Sequence, residues 1–314
     1  MSTIAAAHHL LASQVGGHPG IEDSPDGSLI IKPCLPVEHA FYLQIASDAN
    51  LAALRPHIPI YYGLLQLQGV AQGVSSSDTA TSIVLENVAH NFKKPNLMDV
   101  KLGTILYDES ANEAKRLRMI EKARETTSFE SGVRLVGFQV HDPSTGVVVI
   151  TPKDYGRALK VSELPQGMTK FFPSGYMKDK SLMIAAIDGL IDQVQQIKTA
   201  LGRIEMRMAG GSILLVWEGD EAALAEGLTE HQRKSAKGST GEEEVDEEDS
   251  DGDSSPEESE TGNKTSDAYT VKLIDFAHAR TTLGQGPDEG VLFGLETTLK
   301  LLRGRRTELV AETH

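Results

Sequence analysis

The segment Pro95-Asn-Leu-Met-Asp99-Val-Lys101-Leu-Gly103 holds the residues best suited to chemistry. Asp99 and Lys101 are two apart, so on an extended backbone both side chains face the same way. A carboxylate set against an acceptor hydroxyl, with an ammonium against the phosphoryl in flight, is what phosphoryl transfer asks of a protein. The same pair also reads as an ordinary surface ion pair. Its setting tilts the choice toward chemistry: Pro95 before, Gly103 after, and apolar Leu97, Met98, Val100 and Leu102 between. Lys32 closes the β-rich run Ser28-Leu-Ile-Ile-Lys32, where a rigid strand can aim its ammonium at phosphates; alone it reads as a surface lysine. Asp275 ends Val271-Lys-Leu-Ile-Asp275-Phe276, a strand-end carboxylate suited to a metal ion.

A second group lies just downstream. Lys115, Arg118 and Lys122 fall at i, i+3 and i+7, one face of a helix expected over about Ser110 to Thr126, with Arg116 flanking. Such a face can bind several phosphates at once. Glu113, Glu121 and Glu125 support an equal alternative, a solvated helix laced by its own charges.

The elements that must position these groups can be read from turn signals and periodicity. Asp26-Gly27 marks a hairpin before the first strand, and Phe41, Tyr42 and Ile45 give the helical spacing that follows Pro33 and Pro36. Ile58 to Leu65 and Ser82 to Val88 read as strands. Farther on come a hairpin (Val133 to Val140, then Gly146 to Ile150), a helix from about Asp179 to Leu201, a buried strand Ser212 to Trp217, and a last helix around Gly290 to Leu302. We expect an N-terminal lobe over residues 1–88 and a C-terminal lobe over 89–314.

Composition bounds the rest. The 314 residues, 39 % of them hydrophobic, suffice for a large core. Between Glu242 and Glu260 there are 12 acidic residues and no Lys or Arg, so without this tract the formal charge of −15 falls to about −3. Residues 228–267 are too poor in apolar side chains to offset their ordering entropy, and disorder is expected there. The single cysteine, Cys34, excludes an intrachain disulfide and argues against a cysteine zinc site. No stretch resembles a signal peptide or a membrane span, which suggests a soluble intracellular protein.

The ordered set of short patterns resembles the inositol polyphosphate kinases over about residues 14 to 302. Pro95-x-x-x-Asp99-x-Lys101-x-Gly103 is similar to that family's signature. Ser212-Ile-Leu-Leu, Ile274-Asp275-Phe276, Tyr155-Gly-Arg157, Phe171-Phe-Pro-Ser-Gly-Tyr, Lys32-Pro, Glu38-x-x-Phe-Tyr, Tyr61-Tyr-Gly and Leu85-Glu-Asn-Val match its other landmarks in order. The resemblance implies an α+β, bilobal, protein-kinase-like fold with a short helical substrate-binding insert, and a kinase using ATP and Mg2+. It gives Lys32 to the ATP phosphates with Glu38 as partner, Glu86 to Val88 to the adenine-contacting hinge, and Asp99 to catalysis or nucleotide orientation. Lys101 falls to the transferred phosphate, Asp275 to ATP and magnesium, and Ser212 to the metal. Lys115, Arg118, Lys122, Lys153 and His278 fall to the substrate.

Only 24 residues separate Asp108 from Val133, an insert resembling that of the multikinases and hexakisphosphate kinases more than the longer one of the trisphosphate 3-kinases. The expected activity is phosphorylation of inositol 1,4,5-trisphosphate to tetrakis- and pentakisphosphates, with phosphatidylinositol 4,5-bisphosphate as a further acceptor. The alternatives are a hexakisphosphate kinase making pyrophosphates, or a nuclear scaffold using the acidic tract. Nuclear transcription-regulator partners, phosphoinositide head groups, a monomeric state, no nucleic-acid binding, and a location in nucleus and cytoplasm complete the expectations. Met119 stands where a polar substrate contact is expected, and an arginine that some relatives place between Lys32 and Glu38 has no counterpart.

Overall fold

The computed structural model describes residues 9–10, 20–66, 81–240 and 266–312. Five antiparallel strands form the first sheet: β1 (His9–Leu10), β2 (Glu22–Asp23), β3 (Leu29–Pro33), β4 (Tyr61–Gln66) and β5 (Thr81–Glu86), in the order β1-β2-β3-β5-β4. As expected, Asp26-Gly27 turns β2 into β3; the Asp26 carboxylate accepts from Ser24 Oγ at 2.6 Å and Ser28 N at 3.1 Å. Helix α1 (Pro36–Ser47) starts with proline at its first helical position, where the missing N–H costs nothing, and buries Glu38, Phe41, Tyr42 and Ile45.

The remaining strands and α-helices, in chain order, are β6 (Pro95–Leu102), α2 (Glu113–Glu125), α3 (Ser128–Ser131), β7 (Val133–His141), β8 (Val148–Thr151), α4 (Lys153–Ala158), α5 (Leu164–Phe171), α6 (Lys180–Leu201), β9 (Met206–Met208), β10 (Ser212–Glu218), α7 (Glu221–Thr240), β11 (Tyr269–Ile274), β12 (Ala279–Thr281) and α8 (Glu289–Ala311). The second sheet runs β11-β10-β6-β7-β8, all antiparallel, and β9 pairs with β12. Strand β6 lies in the middle, with Met98, Val100 and Leu102 inaccessible to solvent, which is why the opening motif reads as a near-continuous apolar run. Opposite it, β7 carries one extra residue, Val136: Asp99 faces Gly137 while Val100 faces Leu135. A bulge of this kind re-aims side chains, here between the two residues of interest.

Two glycines let helices approach the sheet. A Cβ on Gly156 of α4 would fall 1.9 Å from the Leu135 carbonyl oxygen of β7, and one on Gly294 of α8 would fall 2.3 Å from Gly132 O. The Tyr155-Gly-Arg157 pattern therefore marks a contact point between helix and strand.

Two expectations need correction. Disorder was expected from residue 228, but α7 continues to Thr240. Leu224 is fully buried, Leu228 packs on the core, His231 lies against Tyr269 with ring centroids 5.1 Å apart and the rings tilted by 59°, and Glu230 pairs with Arg233 and Lys234. These few anchors hold a helix whose composition alone argued against order. Ser266 and Asp267 are also ordered, tied to Glu218 and Asn91; the rest of the acidic tract, 241–265, lies outside the described residues. The last helix is also longer than expected, reaching Ala311.

Gly304 lies on the same helix as Gly294 with nothing near its Cβ position. Gly294→Ala should lower unfolding free energy by about 1–3 kcal/mol through overpacking. Gly304→Ala should raise it by about 0.5–1 kcal/mol through helix propensity. Urea denaturation of both variants checks the opposite signs.

Candidate functional site

Lys32 is buried, and its ammonium donates to Glu38 Oε1 at 2.8 Å and to Asp275 Oδ1 at 2.7 Å. Burial disfavours its charge, but Asp275 and then Glu38 outweigh that and raise its pKa above the ordinary lysine value. Strand β3, helix α1 and the turn after β11 thus meet at one ammonium. Asp275 is the only non-glycine residue at positive φ (67°) among the described residues. A left-handed aspartate costs about 1 kcal/mol or more and persists only where its surroundings dictate it. Here Phe276, fully buried, is locked against Phe41 and Tyr42 of α1 with ring centroids 5.3 and 5.4 Å away.

On the sheet, Ser212, Lys101 and Arg134 are direct cross-strand partners on β10, β6 and β7. Side chains in such a row share a face, and like charges directly opposite repel. Lys101 Nζ donates to the Gly210 carbonyl and lies 3.9 Å from Asp275 Oδ2. Asp99 is buried; burial raises its carboxyl to about 6, with Lys101 opposing and Asp275 adding to the rise. Ser212 lies near enough to influence that carboxyl without hydrogen-bond geometry, and both Asp99 Oδ1 and Ser212 Oγ are buried without a hydrogen-bond partner.

Lys32, Glu38, Lys101, Asp275 and His278 border a cavity of about 570 Å³, and Lys115, Met119 and Lys122 of α2 close its other side. The face of α2 that looks inward is therefore 115-119-122. Arg118, expected on that face, is exposed and does not line the cavity. The helix is turned so that the i+4 position points in rather than i+3. Met119 occupies the cavity wall as an apolar patch between two lysines.

Sequence reasoning missed Arg134, which also borders the cavity. It is buried, and its Nη1 has no hydrogen-bond partner. Burial and the neighbouring Arg157 pull its pKa down, with Asp99 opposing. Lys122 is lowered likewise by partial burial and by Arg134, Arg157, Lys101 and Lys153. An arginine inside the apolar run Val133-Arg-Leu-Val was the available signal. Lys153 does not line the cavity but belongs to this cationic cluster from the start of α4. Five cations crowding one another with two acids, both engaged by Lys32, describe a receptor for a multiply charged anion.

His278 is held by a contact of its Nδ1 with Asp108 Oδ2. Burial would raise Asp108, but hydrogen bonds from Ser110 and the charges of His278 and Lys115 bring it below the ordinary carboxylate value. Arg280 pairs with Glu109 at 2.5 Å, so the loop leading into α2 is clasped twice to the segment that follows Asp275. The two expected hinge residues stand apart. Glu86 accepts from Ile60 N at 3.1 Å, and the Val88 side chain packs with Phe92, Leu97 and Val216; neither lines this cavity.

The family model for inositol polyphosphate kinases matches residues 82–303, more than two thirds of the chain. The chain belongs to the inositol polyphosphate kinase family. It is thus a phosphotransferase that acts on inositol phosphates, with the α+β kinase-like fold expected from the sequence. It is 28 % identical to the inositol polyphosphate multikinase of Saccharomyces cerevisiae over 94 % of this chain and 97 % of that one. With human inositol hexakisphosphate kinase 1 it shares 28 % identity, but the match covers 72 % of this chain and only 53 % of that protein. A solved structure of the S. cerevisiae multikinase, in complex with ADP and Mn2+, superposes with a TM-score of 0.64 at 27 % identity, covering 89 % of this chain and 99 % of that one.

Because Asp99 is protonated more readily in the fold than its ordinary 3.8, folding gains from its proton. That gain is full below pH 3.8 and is lost as pH rises through about 6. Asp99→Asn removes the charge and should raise stability at pH 7.5 by about 1–3 kcal/mol while changing it little at pH 4. Thermal melts at the two pH values check this.

Proposed function

We propose that this chain is an ATP-dependent inositol polyphosphate multikinase, converting inositol 1,4,5-trisphosphate to tetrakis- and pentakisphosphates. The observation that carries the reading is the cavity between Lys32 and α2, which sets a lysine–carboxylate cluster for a nucleotide against a wall where several cations bear on Lys122, for a polyphosphate. The near-complete match to the yeast multikinase, against half of the hexakisphosphate kinase, supports a multikinase over the pyrophosphate-forming alternative.

Lys32 binds nucleotide phosphates in exchange for part of its hold on Asp275, and Glu38 keeps its ammonium in place. Among the described residues no three His, Cys, Asp or Glu side chains could hold a metal by themselves. That suits Mg2+, which takes one or two protein carboxylates and fills its shell from phosphates and water. Asp275 and the unpartnered Ser212 hydroxyl are the donors that fit it. When bound, the ion would neutralise phosphate charge. The hinge, Glu86 to Val88, meets the adenine through its backbone, since both side chains are engaged elsewhere. Lys101, between the nucleotide cluster and Arg134, steadies the phosphoryl group as its bond to ADP breaks and its bond to an inositol hydroxyl forms. Asp99 does not line the cavity and serves the nucleotide side, where the charges of Lys101 and Asp275 both act on its carboxyl.

Chromatography of products from a panel running from the trisphosphate to the hexakisphosphate tests the substrate class. Pyrophosphate products from the hexakisphosphate would replace this reading with the alternative. Lys101→Ala should lower kcat by at least about 10²-fold; unchanged turnover would remove the residue from the site. Lys122→Glu should raise KM for the inositol phosphate at least about tenfold with little change in KM for ATP, whereas Arg118→Glu should change neither by more than about twofold.

A further inference from the structure

Strand β8 is the outermost strand of the second sheet. Edge strands are normally blunted by charge, proline or a covering element. Here Val147, Val148, Val149 and Ile150 are consecutive and exposed at 61, 40, 54 and 53 %. Successive side chains of a strand point to opposite faces, so both faces of this edge are open to solvent. The edge is held in shape: the Asp142 carboxylate accepts from Ser144 N, Ser144 Oγ, Thr145 N and Thr145 Oγ1 in the turn that leads into it, and β8 pairs with β7 from His141–Val148 to Phe138–Thr151.

Cations follow the apolar edge along the chain. Lys153 and Arg157 of α4 follow it directly, Lys160 is exposed beyond them, and Lys170 of α5 lies over the Tyr155 ring at 5.1 Å from its centroid. Asp154 pairs with Arg157 at 3.1 Å, which leaves Lys153, Lys160 and Lys170 set against two carboxylates, Glu163, which accepts from Lys160 N at 2.8 Å, and Asp142 in the preceding turn. An aliphatic strip beside exposed cations matches the two parts of an anionic membrane surface, acyl boundary and headgroups. A second copy of the chain fits less well, because a four-residue strand falls far short of the roughly 800 Å² per partner of a stable interface.

We propose that β8 and the adjoining α4–α5 surface form a contact site for an anionic lipid bilayer. Val147 to Ile150 enter the headgroup boundary while Lys160 and Lys170 meet anionic headgroups. Neither lysine nor any of the four aliphatic residues borders the cavity, so the contact is separable from turnover.

Co-sedimentation of the full chain with phosphatidylcholine vesicles, with and without phosphatidylserine, tests it. Binding to the anionic vesicles alone is expected, weakening with salt and falling at least about tenfold in the Val149→Asp/Ile150→Asp double variant. Turnover of a soluble inositol phosphate should be unchanged in that variant. Emission of a Val148→Trp variant should shift to the blue on anionic vesicles, over a constant background from Trp217, which is fully buried. If the double variant does not melt cooperatively, Val149→Thr/Ile150→Thr takes its place. The proposal is overturned if the unaltered chain binds anionic vesicles no better than neutral ones, if the variants bind as it does, or if the Val148→Trp emission does not move. A dimer on size exclusion that the double variant dissolves, without vesicle binding, would make β8 a contact between copies instead.

Discussion

The site depends on one ammonium, that of Lys32, shared between Glu38 and Asp275, residues 6 and 243 positions away in sequence. Without these carboxylates the buried ammonium would be an uncompensated charge, a loss of several kcal/mol. The three elements that supply this contact are therefore held to one arrangement. Phe276 enforces the same arrangement by packing, since its ring is gripped by Phe41 and Tyr42 from the helix that carries Glu38. Polar and apolar contacts converge on the same two turns of α1, and together they keep Asp275 in a left-handed conformation that it would not adopt alone.

Much of this was legible in the sequence because it is written locally. The Pro95–Gly103 strand shows its burial by an apolar run, the Asp26-Gly27 hairpin by its turn residues, and α6 by its periodicity, with Asp179 as its N-cap. The ordered family patterns then joined Lys32 to Asp275 across a distance that no periodicity reveals. What stayed hidden depends on three-dimensional register. Arg134 acquires meaning only because β7 places it opposite Lys101, and a bulge at Val136 intervenes before Asp99. The rotation of α2 that turns Met119 inward and Arg118 outward is fixed by packing, since 118 and 119 are equally placed about the 115–122 axis of a regular helix. The end of α7 was misjudged because a few contacts, such as His231 on Tyr269, outweigh a polar composition.

The electrostatic design of the cavity follows from a contrast between its two sides. On the nucleotide side, Lys32 is balanced by two carboxylates, and its charge is secured by them. On the other side, burial and then the charges of Arg134, Arg157, Lys101 and Lys153 lower the pKa of Lys122, burial and Arg157 lower that of Arg134, and the Nη1 of that buried arginine goes without a partner. The fold tolerates this repulsion because the cations come from four separate elements, β6, α2, β7 and α4, each anchored by its own packing. Gly156 is one such anchor: it lets α4 lie directly on Leu135, which keeps Arg157 beside Arg134 despite their mutual repulsion. A polyanion that enters relieves every one of these pairs at once, so affinity should rise more steeply with phosphate count than a sum of independent contacts would give. A site of this kind selects its ligand by total charge and leaves the choice of hydroxyl to shape. That division of labour suits an enzyme whose products carry one phosphate more than its substrates and must still fit the same wall.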